Sequence, residues 1–555
     1  MLRLLIALLF CFATTAAHAG TVYYNGHVLT MNASADVAEA FFVHRGRIRA
    51  VGTTTAMKKY LSTSTQGVDL KGRTVIPGII DAHGHFPASG LSEVGVDLNS
   101  PPIGPVKTVN DALRLLKAKA RQLPAGRWIY AFGYDETLIQ EGRLLTLQEL
   151  NAVSTAHPIY VQHTSGHQGM SNRKGLEVMG YTDATPDPPG GHFGRDQAGR
   201  LTGLMLETAS DPSKRASLNG PVWDRLKIIQ VANAEYLAQG VTTAQSGASP
   251  HILVNALSWL SKFQLIPLRV VVYPMEENGR EWVNGSRSYA QDEHEKFKMG
   301  AVKLFVDGSI QAYSGLLNAP YFIPRDAQRP EDLGHNRVSL DTLKAQVLFF
   351  HKAGKQTAIH ANGDRAIEYV LQAVEYAQQQ YYRSDPRHIV IHSQMPSVAQ
   401  LERMKKVGLT PSFFNTHVYY WGDRHRKLFL GPKRARRIDP LQDALKTGHR
   451  FTLHTDTPVV PMEPMTMIWS ASERKTRSDY VLGPEQRISR YRALQAITLD
   501  AAWQSFLDQE LGSVEPGKRA DFVILSANPL TVQDVRKVQV LETYIDGRRM
   551  YRRSP

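Results

Sequence analysis

Short apolar segments that end in polar residues alternate with amphipathic helical patterns, and this alternation limits the fold more than any other feature of the chain. The clearest helical patterns are LDTLKAQVLFFHKAG at 340–354 and RAIEYVLQAVEYAQQQYY at 365–382. Strands that alternate with helices are typical of βα units, and about eight such units favour a closed (β/α)8 barrel of the TIM type. We therefore predict an α/β fold with the strands TVIPGIID (74–81), RWIYAFGYD (127–135), GVTTAQSG (240–247), AVKLFVDGS (301–309), QTAIHANGD (356–364), HIVIHSQ (388–394), LTPSFFNTH (409–417) and RFTLHTD (450–456).

The two ends of the chain have a different pattern from the middle. Residues 20–75 and 508–555 contain alternating strand patterns and turn residues but no long helical pattern. We expect them to pair as one small β-sandwich domain, with the barrel at 76–507. The stretch 86–225 is long for a few βα units and is rich in Pro and Gly around 185–194, which predicts an insertion or lid over the barrel mouth.

The first 19 residues have the pattern of a secretory signal peptide. Arg3 precedes an apolar run at 4–13, and Ala17-His18-Ala19 provides a small-residue cleavage site. The apolar run is too short to span a bilayer comfortably, so no stable membrane insertion is expected. We predict a soluble exported protein that is periplasmic or secreted.

Composition restricts the chemistry that is open to the mature chain. Cys11, within the predicted signal peptide, is the only cysteine, which excludes disulfides, thiolate metal sites and cysteine nucleophiles. The net charge is +14, but the densest basic cluster, KRARR at 433–437, lacks interleaved aromatic residues and is better explained as a solvated helix face. We expect a small-molecule substrate and no nucleic-acid partner, and the sequence leaves a homodimer open.

Polar residues able to bind a divalent metal occur at the ends of five predicted strands. The pair His83 and His85 is informative, because residues two apart on a strand point the same way. In a barrel, the carboxyl ends of the strands meet at one face. Such a face would bring together the candidate ligands His83, His85, Lys303, His360, His392 and Asp456.

Lys303 lies within an apolar strand, where an unpaired ammonium group is costly. One interpretation is an ion pair with a nearby carboxylate such as Asp307. The other is a lysine that is neutral because it is desolvated, and that reacts with carbon dioxide to form a carbamate bridging two metals.

Several motifs together resemble the amidohydrolase superfamily, in particular its family-3 branch of YtcJ-like metal-dependent hydrolases. They run in order over most of residues 20–550 and are PGIIDAHGH, SGHQGMSNRKGL, TGLMLETA, KLFVDGS, HANGDRAI, HSQ, GPKRARR, HTDTPV and VEPGKRADFVIL. Three segments differ from the common pattern. HTD replaces the commoner Ser-Asp before Pro, Ser165 replaces an Asp, and TTAQSG lacks a charged residue.

The resemblance implies a role for each candidate residue. His83 and His85 would bind a first metal, Lys303 would be the carboxylated bridge, and His360 and His392 would hold a second metal. Asp456 would bind the first metal and act as the proton shuttle. His167 and His417 would face the substrate.

These ligands imply hydrolysis of a carbon–nitrogen bond in a non-peptide amide, formamide or cyclic amide. One or two divalent ions, zinc by default, would supply hydroxide at neutral pH, and Asp456 would carry the proton to the leaving group. The alternatives are an esterase or lactonase that uses the same metals, and a non-catalytic periplasmic protein that binds a ligand or regulates secretion. Asp135 and Glu136 are also acidic, but neighbours on a strand point opposite ways, so we expect a surface-loop role for them.

Overall fold

Two parallel sheets form the middle of the protein in a computed structural model that describes residues 20–289, 296–325 and 328–554. The predicted signal peptide, 1–19, lies outside the described residues. One sheet has four strands, in the order Phe297–Met299, Arg269–Pro274, Val241–Ser249 and Ile79–Ile80. The other has five, in the order Val302–Phe305, Thr357–Ala361, His388–His392, Leu409–Phe413 and Thr452–Leu453.

Helices lie between most of these strands, and both helical patterns singled out in the sequence form helices. They are Leu340–Lys352 and Asp364–Gln380, whose apolar residues are buried in the main core. The parallel strands have almost continuous apolar sequences because nearly all of their residues are buried. Further helices in this half of the chain include Val222–Ala238, His251–Lys262, Glu276–Val283, Val398–Val407, Leu441–Lys446, Pro464–Glu473, Arg490–Ala496 and Leu499–Gln504.

The two parallel sheets meet along two edges. On one side, a parallel bridge between Met275 and Lys303 joins them. On the other side, the backbone N–H of His85 donates to the carbonyl of Thr457 at 2.8 Å, and that of Asp456 donates to the carbonyl of His83 at 3.2 Å. In the described residues the strand ladder itself does not close between the two sheets, so the closed eight-stranded barrel stays a prediction.

One predicted barrel strand belongs to a different sheet. Ile129–Tyr134 is a strand, as predicted, but it lies in a six-stranded mixed sheet within the predicted insertion. In the parallel sheets, Arg269–Pro274 is a strand that we did not predict, because its apolar run ends in Pro-Met without a polar side chain. The other strands of the mixed sheet are Val96–Asp97, Ile159–His163, Gln168–Ser171, Leu201–Glu207 and Gly191–Arg195.

Two further sheets contain the ends of the described chain. One consists of Arg47–Gly52, Ala40–His44, Gly20–Tyr24 and Thr65–Asp69; the other consists of Arg548–Arg552, Val540–Ile545, Phe522–Leu525, Thr74–Pro77, His27–Leu29 and Val37–Ala38. The second sheet therefore pairs strands from both ends. Phe41 and Phe522 come from different sheets and pack edge to face, with ring centroids 5.0 Å apart. A β-sandwich with the predicted domain limits stays a prediction.

The remaining helical segments are short connections, apart from Val109–Gln122 in the predicted insertion. None of the helices in the described ranges is both long enough and apolar enough to cross a membrane. The remaining α-helices are Thr54–Met57, Leu147–Val153, Arg173–Val178, Asp211–Ser217, His417–Arg424 and Gly431–Ala435, with a π-helical turn at His425–Phe429 and 3-10 turns at Lys58–Tyr60, Ala88–Glu93, Ile310–Ala312, Pro484–Gln486 and Val535–Lys537.

Candidate metal centre

The candidate ligands lie on the parallel strands or directly after them. His392 is the last residue of its strand and His360 is the last but one of its own. Lys303 is the second residue of its strand. His83 and His85 follow Ile79–Ile80, and Asp456 follows Thr452–Leu453. Because these strands are parallel, the side chains at their carboxyl ends meet on one side of the sheets.

Three of these side chains form a compact donor group. Nε2 of His85 lies 3.0 Å and Nε2 of His83 lies 3.4 Å from Oδ1 of Asp456. One ligand atom from each residue lies within 4.8 Å of the other two, which is close enough for one metal ion. Nζ of Lys303 lies 3.3 Å from Nε2 of His83, so the lysine adjoins the same group.

The two remaining histidines lie beside this group. The ring centroids of His360 and His392 are 4.5 Å apart, and His392 is 5.7 Å from His83. The six predicted ligands therefore lie in one cluster. Their division between two metals stays a prediction.

Hydrogen bonds to the outer nitrogens orient the first two histidines. Nδ1 of His83 donates to Oε1 of Gln245 at 3.0 Å, and the same oxygen accepts from the backbone N–H of Gly84 at 2.9 Å. Nδ1 of His85 donates to the carbonyl of Gly247 at 3.0 Å. Both Nε2 atoms are then left to bind a metal. Sequence reasoning missed Gln245. Its position inside an otherwise apolar or small-residue strand was the signal that could have found it.

The second pair of histidines has equally specific partners. Nδ1 of His360 lies 3.2 Å from Oδ1 of Asp307, which also accepts a backbone N–H of Asn362 at 3.1 Å. Asp307 thus orients His360, and among the described residues it forms no ion pair with Lys303. Nδ1 of His392 lies 3.2 Å from Nε2 of His454, the residue of the unusual HTD segment.

Burial favours the neutral forms of the candidate histidines and of Lys303, and neutral imidazole is the form that binds a metal. Burial lowers the pKa values of His83, His360 and His392 well below the ordinary value, so the imidazoles are neutral at pH 7. Burial also lowers the pKa of Lys303 to about 7. For Asp456, burial opposes ionisation, but His85, His454 and Lys303 outweigh it and lower the pKa.

The donor set fits a divalent metal. Oδ1 of Asp456 is buried and faces imidazole nitrogens, without a hydrogen bond of good geometry in the described residues. Asp456 and His392 both have left-handed backbone conformations, with φ of 54° and 71°. Such conformations cost energy for residues other than glycine and are concentrated at functional sites.

The two predicted substrate-facing histidines differ in their surroundings. The ring of His167 lies 4.8 Å from that of His360, and its Nδ1 lies 2.9 Å from Oε2 of Glu207. His417 is buried against Phe414, with ring centroids 4.1 Å apart, and lies 6.5 Å from His392. Both are near the cluster, and their roles toward a substrate stay predictions.

Asp135 and Glu136 do not lie on the surface, so that prediction is wrong. They are 3% and 6% exposed and, with His163, form a second group of potential metal ligands. However, Arg424 donates to Asp135 at 2.7 Å, and Arg325 donates to Glu136 at 3.3 Å. Because arginines neutralise both carboxylates, we assign this group to ion pairs that join the mixed sheet to the segments of Arg325 and Arg424.

The sequence profile of the amidohydrolase family matches residues 66–551. This chain belongs to the amidohydrolase family. Family membership and the donor cluster together support a divalent metal at the site and a hydrolase activity.

Relatives of this amidohydrolase match it over almost their whole length. An N-substituted formamide deformylase of Arthrobacter pascens is 28% identical over 543 residues, which cover 96% of this chain and 98% of the relative. The putative amidohydrolase YtcJ of Bacillus subtilis is 25% identical and covers 96% and 99%. These relatives confirm the predicted family.

A solved structure supports the fold of this amidohydrolase. An uncharacterized metal-dependent hydrolase from Pyrococcus horikoshii superposes with a TM-score of 0.74 and 24% identity, over 93% of this chain and 99% of that chain. The likeness shows that the two chains share an α/β fold.

Proposed function

We propose that this amidohydrolase hydrolyses a carbon–nitrogen bond in a non-peptide amide of a small molecule, such as an N-substituted formamide. The observation that carries the proposal is the cluster of His83, His85, Lys303 and Asp456 with the two strand-end histidines. We also propose that the two parallel sheets close into a (β/α)8 barrel around it.

In this proposal His83, His85 and Asp456 hold one divalent metal, and His360 and His392 hold a second. Zinc is the default choice, because it is commonly bound by imidazole and carboxylate ligands. When bound, such ions activate water at neutral pH and polarise a carbonyl oxygen.

Lys303 supplies the bridge between the two sites as a carbamate. Its neutral amine adds to carbon dioxide and loses a proton, which gives an anionic group with two oxygen donors. The pKa of about 7 that burial gives this lysine leaves much of the amine neutral at physiological pH. The carbamate would also replace a buried amine that has Nε2 of His83 as its neighbour at 3.3 Å.

Asp456 moves the proton. Its carboxylate is ionised in the resting site and lies within 3.4 Å of both His83 and His85. Asp456 takes the proton of the attacking water and delivers it to the leaving nitrogen. Without that proton an amine anion would have to leave, which is far less favourable.

We further propose that the protein is exported, with residues 1–19 removed, and that it acts in the periplasm or outside the cell. The formamide substrate class rests on the relative from Arthrobacter pascens. An ester or lactone is the alternative substrate for the same site.

Elemental analysis of protein purified without added metal tests the proposal. We expect one to two divalent ions per chain, loss of activity on chelation, and hydrolysis within a panel of formamides, amides, cyclic amides, esters and lactones. Lys303→Ala should lose metal. Lys298→Ala is the matched control, because Lys298 lies on the strand that precedes that of Lys303 in the sequence and donates to the carbonyl of Ser505.

Each outcome separates the alternatives. Full metal content and activity in Lys303→Ala would remove the carbamate. Turnover of esters alone would favour the esterase or lactonase, and tight binding of a panel compound without turnover would favour a binding or regulatory protein.

A further inference from the structure

Glu207 holds the ring of His167 at the edge of the metal cluster. Oε2 of Glu207 accepts from Nδ1 of His167 at 2.9 Å. The backbone N–H of Glu207 also donates to the carbonyl of His167 at 2.7 Å, so the two residues are tied twice. The His167 side chain is 11% exposed, whereas that of Glu207 is 4% exposed.

A hydrogen bond, a close backbone neighbour and its own backbone conformation restrict the position of Glu207. Nη1 of Arg337 donates to the same Oε2 at 3.2 Å. A Cβ atom added at Gly308 would lie 2.1 Å from Oε1 of Glu207, so only glycine leaves room for this carboxylate. The backbone of Glu207 has a φ of 51°, a costly conformation that persists where the surroundings impose it.

This array determines which nitrogen of His167 carries the proton. Nδ1 of His167 and Nη1 of Arg337 lie 2.9 and 3.2 Å from the same carboxylate oxygen. An ionised carboxylate only accepts hydrogen bonds, so Nδ1 of His167 is the donor. When the ring is neutral, Nε2 is then an acceptor.

Nε2 of His167 makes no hydrogen bond within the described part of the chain. Its ring lies beside His360, with centroids 4.8 Å apart. The ring of Phe305 also lies beside His360, at 5.6 Å, and it contacts both Lys303 and Arg337. The ring that carries this nitrogen therefore lies against a candidate metal ligand, at the edge of the cluster.

We propose that Nε2 of His167 accepts a hydrogen bond from the N–H group of the scissile amide, and that Glu207 is the residue that positions it. The enzyme would then select secondary amides, including N-monosubstituted formamides, over N,N-disubstituted amides and esters. This inference rests on the proposed function and narrows its substrate class.

The physical reason for the selectivity is the cost of an unmade hydrogen bond. An ester or a disubstituted amide has no N–H, so Nε2 would lose its water on binding and gain no partner. Sites built to hydrogen-bond a substrate group reject analogues that lack the group more strongly than apolar pockets reject a missing methylene.

The test compares a secondary amide, its N-methyl derivative and the matching ester on metal-loaded protein. We measure kcat/KM for each and, by calorimetry, their binding. We expect the ratio of secondary to N-methyl amide to fall about 10-fold or more in His167→Phe, which keeps an aromatic ring without an acceptor. Metal content should stay at the wild-type level.

Variants of Glu207 separate positioning from folding. Glu207→Met should lower the same ratio, whereas Glu207→Gln should restore most of it, because its carbonyl oxygen can still accept from His167. Asp211→Met is the matched control, since Asp211 is the other carboxylate at Arg337, at 3.4 Å. That variant should keep the wild-type ratio.

The outcomes distinguish this inference from the proposed function. An unchanged ratio in His167→Phe, with amides still hydrolysed, would overturn the inference alone. If no panel compound is hydrolysed, the proposed function fails. Binding that still favours the N–H compound in wild type but not in His167→Phe would then support the inference, and binding without this preference would overturn it.

Discussion

At the scale of single residues, Gln245 has a larger role than its uncharged side chain indicates. One oxygen of this residue accepts from both His83 and the backbone of Gly84. Removing a partner that orients a ligating histidine typically costs 10- to 100-fold in metal affinity. We therefore expect Gln245→Leu to bind zinc about 10- to 100-fold more weakly, as measured by competition with a chromogenic chelator.

A second buried glutamine provides the control for Gln245→Leu. Gln346 is also buried, but its amide donates to Glu276 on a neighbouring helix, away from the cluster. Gln346→Leu should keep the wild-type zinc affinity. Equal affinity in both variants would show that His83 needs no fixed acceptor.

The sequence was sufficient to predict which candidate ligands lie together but not which residues orient them. The H-x-H spacing and the strand-end positions place His83, His85 and Asp456 together, as the structure has them. Gln245 is 162 residues from His83, and the sequence analysis noted only that its segment, TTAQSG, lacks a charged residue. Which nitrogen a partner contacts depends on side-chain geometry, and spacing along the chain does not contain that information.

At the scale of elements, a chain of hydrogen bonds joins the helix Leu340–Lys352 to the strand His388–His392. Nε2 of His351 lies 2.6 Å from the carbonyl of Tyr381, and its Nδ1 lies 2.8 Å from Nε2 of His388. Nδ1 of His388 accepts from the backbone N–H of Thr357 at 3.0 Å. Because a carbonyl only accepts and an N–H only donates, every proton in this chain is assigned and both rings are neutral.

This chain predicts how stability depends on pH. Burial lowers the pKa values of both His351 and His388, whereas in the unfolded chain each is near 6.5. Below about pH 6.5 the unfolded chain binds more protons, so the free energy of unfolding falls as pH drops. The loss is up to about 1.4 kcal/mol per pH unit for each histidine.

Urea unfolding of metal-loaded protein between pH 7.5 and 5.5 measures this slope. The double variant His351→Gln and His388→Gln should have a shallower slope than wild type. His192→Gln is the control, since the His192 side chain is 56% exposed. An equally steep slope in the double variant would assign the pH dependence to other buried histidines.

The sequence predicted most parallel strands, and the wrong assignment of Ile129–Tyr134 to the barrel has a physical cause. Ile129–Tyr134 is buried and apolar like the barrel-type strands, and Asp135 follows it as a polar end. Its polar neighbours bind Arg424 and His163 rather than the metal cluster. The pattern of apolar residues indicates that a strand is buried. It does not indicate which of two sheets contains the strand when both sheets are buried.

At the scale of the whole molecule, the metal cluster joins segments that are far apart in sequence. The strand Thr74–Pro77 pairs antiparallel with Phe522–Leu525 near the other end of the chain. It is followed by Ile79–Ile80 and then by His83. Nε2 of His83 lies 3.4 Å from Asp456. A metal bound between them would connect the sheet of both chain ends to the last parallel strand.

A metal that binds only the folded state stabilises it. At a free concentration 1,000 times Kd the gain is about 4 kcal/mol, since the unfolded chain does not bring these ligands together. We expect EDTA to lower the melting temperature by several degrees, and zinc to restore it, in differential scanning calorimetry. His83→Asn should show a lower melting temperature and no response to either reagent. A wild-type melting temperature that zinc and EDTA leave unchanged would mean that the cluster holds no metal in the folded protein.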